Sequence, residues 1–110
     1  MTLFQKIIDR EIPADFVYED DDVCAFRDIA PQAPTHILVI PKKPLVKIAE
    51  MGEEDTLLIG KLMLCATQIA KEQGIEDYRL VINNGAKAGQ SVFHLHLHIL
   101  AGRPFTWPPG

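Results

Sequence analysis

The chain has 110 residues, 47% of them hydrophobic and 24% charged, with a formal charge of −4. That length and composition fit one ordinary globular domain over residues 1–110 and exclude a fibrous or low-complexity chain. An acidic balance without a basic run excludes a surface built to neutralise a nucleic-acid backbone, although a local pocket can still attract a small anion.

The N-terminus lacks the charged-then-apolar pattern of a secretory signal, and Thr2 after Met1 excludes N-myristoylation. No apolar run reaches the length of a membrane span, so a cytoplasmic protein is expected. Residues 3–9 carry Leu3, Phe4, Ile7 and Ile8 at helical spacing, with Pro13 as a stop. Residues 16–18 and 23–26 read as short strands around an acidic turn at 19–22. Residues 36–40 read as a third strand, bracketed by Pro34 and Pro41, which cannot donate a ladder hydrogen bond. Glu53, Glu54 and Asp55 then place negative charge at the positive end of a helix. On it Leu58, Leu62, Cys65 and Ile69 share one face, and Gly74 suits its left-handed stop. Residues 79–82 and 92–100 read as the last strands. Short links between strands predict antiparallel pairing and an α+β class. Cys24 and Cys65 lie far apart inside apolar segments and are expected to be buried free thiols.

Three of the four histidines are His94, His96 and His98. In a strand they share one face, with neighbours about 6.5–7 Å apart along the chain. Phe93, Leu95, Leu97 and Ile99 then form the opposite, apolar face, which reads as the core face. Three imidazoles and a water suit zinc, but the chain has neither HExxH nor paired-cysteine spacing, so no metal is expected. The other chemistry is phosphoryl transfer. A neutral imidazole is available near pH 7 and can attack phosphorus, while neighbouring rings donate hydrogen bonds to phosphoryl oxygens. The loop before the strand, with Gly85, Gly89 and the only serine, Ser91, permits close backbone approach to an anion.

The run Gly89-Gln90-Ser91-Val92-Phe93-His94-Leu95-His96-Leu97-His98-Ile99-Leu100 resembles the histidine-triad signature. So do segments elsewhere: Phe4-Gln5-Lys6-Ile7-Ile8 with Glu11-Ile12-Pro13, Ala25-Phe26-Arg27-Asp28-Ile29, Pro31-Gln32-Ala33-Pro34-Thr35-His36, Gly102-Arg103-Pro104 and Trp107-Pro108-Pro109-Gly110. These are similar to the nucleotide-binding (Hint) branch of the histidine-triad (HIT) superfamily, over nearly the whole chain.

The resemblance implies an α+β HIT-like fold: a five-stranded antiparallel sheet with one long and one short helix, extended across a homodimer. It implies a purine nucleoside phosphoramidase that releases a nucleoside monophosphate and an amine, without a cofactor. His96 would be the nucleophile, His98 would contact phosphate, His94 would orient the site and His36 would be an additional histidine. Asn83, Gly89, Ser91 and Val92 would surround the phosphate, with Ser91 or His98 relaying a proton to the amine. Asp28 would hold the ribose hydroxyls, and Phe4, Ile7, Phe26 and Ile29 the base. Trp107 would approach the partner's site, with the long helix and residues 79–82 at the subunit interface. Alternatives are a dinucleoside polyphosphate hydrolase, as in the Fhit branch, and a nucleotide-binding scaffold with residual catalysis.

Overall fold

The computed structural model describes residues 1–110. Helix α1 (Leu3–Ile8) opens the chain. Strands β1 (Phe16–Glu19), β2 (Val23–Arg27) and β3 (Thr35–Pro41) follow, then α2 (Thr56–Glu72), β4 (Tyr78–Val81) and β5 (Leu97–Ala101). The strands form one sheet in the order β1-β2-β3-β5-β4, and every pairing is antiparallel. The expected five strands with one long and one short helix are all present. No helix is long and apolar enough to cross a membrane.

The sheet is covered on both faces, which explains why β2 and β3 are apolar almost without alternation. On one face Val23, Ala25, Ile37, Val39, Leu97 and Ile99 pack against Leu62, Cys65, Ala66 and Ile69 of α2. On the other, Cys24, Phe26, Leu38 and Ile40 pack against Phe4 and Ile7 of α1. Both cysteines are buried free thiols, and burial pushes each pKa up to about 11. The face that carries α1 also holds His36 and His98, beyond the residues packed against that helix.

Helix boundaries moved in detail. Helix α1 ends at Ile8, before Pro13 can act, and Arg10 takes a left-handed φ of 64°. Glu53–Asp55 form a separate 3-10 turn ahead of α2, with Asp55 buried and accepting the Gly52 N–H at 2.9 Å. Gly74, at φ 70°, follows the end of α2 as its spacing predicted.

The larger correction concerns the histidine strand. It was expected over residues 92–100, yet β5 begins only at Leu97. The register pairs Val39 with Leu97, and the next pairs would bring Leu95 opposite Pro41. Pro41 has no N–H to give. Its carbonyl instead accepts the His94 Nε2–H at 2.7 Å, and the Leu95 N–H turns to the Leu45 carbonyl at 2.7 Å. Residues 92–96 therefore leave the ladder. Phe93, expected in the core, is 49% exposed. Leu95, Leu97 and Ile99 are buried as expected.

Candidate active site

The departure from the ladder shapes the site. Of the three motif histidines only His98 lies on a strand, and Leu38 is its partner on β3. His36, on β3, shares its face. His94 and His96 sit on the irregular approach, and both are buried. His96 and His98 have ring centroids 4.9 Å apart, closer than an extended strand would hold them. His94 is turned away into the protein, where its ring ends on the Pro41 carbonyl.

Hydrogen bonds assign the tautomers. The Gln32 backbone N–H donates to His36 Nδ1 at 3.0 Å, so a neutral His36 carries its proton on Nε2. That nitrogen lies 2.8 Å from His98 Nδ1, which must accept. The His98 proton is thereby directed to Nε2, a buried atom with no partner in the chain. His96 Nδ1 lies 2.7 Å from the His94 carbonyl, which can only accept. His96 therefore donates from Nδ1 and keeps its lone pair on Nε2. Two adjacent rings thus offer opposite functions: a lone pair from His96 and an N–H from His98.

Burial lowers the pKa of all four imidazoles below the ordinary 6.5, because a dry surrounding disfavours the cation. For His98, pushed down to about 4, the neighbouring His96 and His36 rings add to burial. Asp28 opposes the shift at His36, with its Oδ2 3.5 Å from His36 Nε2. Its Oδ1 accepts the Ala30 N–H at 2.9 Å, an Asx turn that fixes the carboxylate just past β2.

Beside these rings is a cavity of about 190 Å³. Of the residues expected at a substrate, Phe4, Ile7, Phe26, Asp28, Ile29, Ser91, Val92, His96 and His98 line it. Asn83, Gly89 and Trp107 do not. Asn83 and Gly89 lie further back on the loop, where a side chain on Gly89 would meet the Asn83 amide at 3.6 Å. Trp107 is 82% exposed. Ile29, at 94% exposure, stands at the cavity rim. The sequence reading missed Leu3, Ile12, Pro13, Ala14, Arg27 and Leu38 among the lining. Leu38 was within reach, since it alternates with His36 and Ile40 on one strand. The Ile12-Pro13-Ala14 segment carries no periodic signal.

One group of ligand atoms also meets the spacing of a metal site. Asp28, His36 and His98 bring theirs within 4.8 Å of one another. This is not the three-histidine arrangement suggested by the motif: His94 is turned into the protein onto the Pro41 carbonyl, and the group takes Asp28 and His36 with His98 instead.

A five-stranded antiparallel sheet with buried imidazoles over an apolar cavity defines a histidine-triad protein. The HIT domain family matches residues 9–105, and the chain belongs to it. An uncharacterised HIT-like protein of Synechocystis is 62% identical, over 99% of this chain and 96% of the relative. A 14 kDa zinc-binding protein of Zea mays is 53% identical, over 99% of this chain and 88% of the relative. A solved HIT family hydrolase from Legionella pneumophila Philadelphia 1 is 47% identical with a TM-score of 0.97, each chain covered in full.

Proposed function

We propose that the chain is a hydrolase of purine nucleoside 5′-phosphoramidates, acting through a nucleotidyl-histidine. The observation that carries this reading is the His96 tautomer: with Nδ1–H bound to the His94 carbonyl, the Nε2 lone pair is free to attack. The apolar walls from Phe4, Ile7, Phe26 and Ile29 suit a purine face, and they supply no edge contacts that would separate adenine from guanine. Asp28 accepts hydrogen bonds from the ribose hydroxyls, and Ser91 and Val92 meet the phosphate.

In the first step His96 Nε2 forms a bond to phosphorus as the P–N bond breaks. The His98 Nε2–H donates a hydrogen bond to a phosphoryl oxygen, where charge accumulates. A neutral imidazole is a poor acid, so His98 is not the source of the amine's proton. The exposed Ser91 hydroxyl passes a proton to the departing amine and takes one from water. A water then attacks phosphorus, the P–Nε2 bond breaks, and the nucleoside monophosphate leaves with His96 neutral again. His36 and His94 act on the orientation of His98 and His96, not on the substrate.

A competing occupant of the site is zinc, suggested by the maize relative's name and the Asp28–His36–His98 group. The fit is poor. Tetrahedral zinc holds two nitrogen ligands about 3.3 Å apart, whereas His36 Nε2 and His98 Nδ1 are 2.8 Å apart and share a proton. One experiment separates the readings: turnover of an AMP–amine conjugate and of a diadenosine polyphosphate, each with and without a strong chelator. Preferred cleavage of the conjugate, unaffected by the chelator, is expected. Preference for the polyphosphate would favour the Fhit-like activity, and loss with chelator would favour the metal.

The same reading includes a homodimer in the cytoplasm, where buried free thiols persist. Helix α2 exposes Leu57 (88%), Leu64 (56%) and Met63 (39%) on the side away from the core, and β4 is an unpaired sheet edge. A second copy joined there would extend the sheet and bring a Trp107 toward its partner's cavity. Sedimentation at twice 12.3 kDa is expected; a monomer at micromolar concentration would exclude it.

A further inference from the structure

Gln90 stands one residue before the exposed Ser91, yet it is only 2% exposed. Burying an amide is unfavourable unless its donors and acceptor are satisfied. All three are. Its Oε1 accepts the Gly85 N–H at 2.8 Å, while its own backbone N–H donates to the Gly85 carbonyl at 3.1 Å. Those two bonds close residues 85–90 into a ring, entered through Gly85 at φ 97°, a conformation that side-chain-bearing residues rarely adopt. The Nε2 group then donates to the Val92 carbonyl at 3.1 Å and to the Val46 carbonyl at 2.7 Å. Val46 lies in the connection between β3 and α2, far away in sequence.

Two further bonds tie the same pieces together. Asn84 Oδ1 accepts the Ala49 N–H at 2.9 Å, and the Leu95 N–H donates to Leu45 at 2.7 Å. The loop ahead of the histidines is thus fixed at both ends to one connection, with Gln90 in the middle. Ser91 and Val92, immediately after it, line the cavity, and their backbone N–H groups donate to no backbone carbonyl.

We propose that Gln90 is a positioning residue: its amide holds the 83–92 loop against the β3–α2 connection, so that Ser91 and Val92 present their N–H groups to a substrate phosphate. This rests on the phosphate-site reading above. Gln90 touches no substrate. It sets where two donors point, and a displacement of about 1 Å in such a group is enough to cost 10²-fold.

The test compares AMP with adenosine, by direct binding measurement on the full chain. The wild-type chain is expected to prefer AMP. Gln90→Met keeps the side chain's length but breaks all three amide bonds. It should lower AMP affinity by about tenfold or more while leaving adenosine affinity nearly unchanged, because Phe4, Ile7 and Phe26 are untouched. A structural role alone would weaken both ligands alike or only lower the melting temperature. A folded Gln90→Met chain with the wild-type preference for AMP overturns the inference. If that variant does not fold, Asn84→Ala, which breaks an exposed tie of the same loop, decides: a reduced preference supports it and an unchanged one overturns it. A wild-type chain with no preference for AMP removes the phosphate-site reading itself, and this inference with it.

Discussion

His96→Ala is expected to lower turnover of an AMP–amine conjugate by at least about 10⁴-fold, the scale seen when a covalent nucleophile is removed. Affinity for AMP should change little, because the cavity walls and Asp28 remain. The three histidines are unequal. His94 Nε2 donates to the Pro41 carbonyl and His98 Nε2 carries its ring's proton, so neither offers a lone pair at that nitrogen. Only His96 does. Intact-mass analysis of quenched wild-type reactions should find one nucleotidyl adduct, on His96, absent from the variant. Substantial turnover in His96→Ala, or an adduct on another histidine, would end the mechanism.

The same assignment fixes a pH dependence. In the proposed mechanism His96 attacks only when neutral, and burial holds its pKa below the ordinary 6.5. As pH falls through 6.5, the ring in the free enzyme stays neutral, so kcat/KM should hold there and decline only at more acid pH. An acid limb at 6.5 or above would mean that the ring is solvated, contrary to its 5% exposure.

Periodicity recovered what packing alone dictates. Leu62, Cys65 and Ile69 are buried under the sheet, and Leu58 is packed at the edge of that cluster. Alternation failed where one proline changed the hydrogen-bond supply. Nothing local to residues 92–96 announces that their partner strand ends in Pro41, over 50 positions earlier. The consequence falls on the candidate site: a continued ladder would have put all three imidazoles on one open face. Breaking it buries His94 and turns the His96 lone pair out. The pairing of His36 with His98 was equally hidden, since it depends on register between β3 and β5. The family resemblance supplied His36 and Asp28 where local pattern was silent. It did not reach Gln90, whose role exists only because a distant connection passes beside it.

Phe4→Ala is expected to destabilise the fold by about 3–4 kcal/mol, in the range for a buried aromatic cut to alanine. Helix α1 has six residues, far too few to persist alone. Its Thr2 cap, accepting the Gln5 N–H at 3.1 Å, contributes little beside packing. Phe4 supplies that packing. It is 4% exposed, and its ring meets Phe26 edge-on at 5.5 Å and His96 at 4.9 Å. Truncation would open a void between the helix and the sheet and free the His96 ring to rotate. The loss should therefore appear twice: in chemical denaturation, and as weaker binding of adenosine as well as AMP. That second signature separates it from Gln90→Met, which spares adenosine. Leu3→Ala is the natural control, because Leu3 is 43% exposed at the cavity mouth and should cost under about 1 kcal/mol. Equal losses from the two variants would show that α1 is not anchored through Phe4.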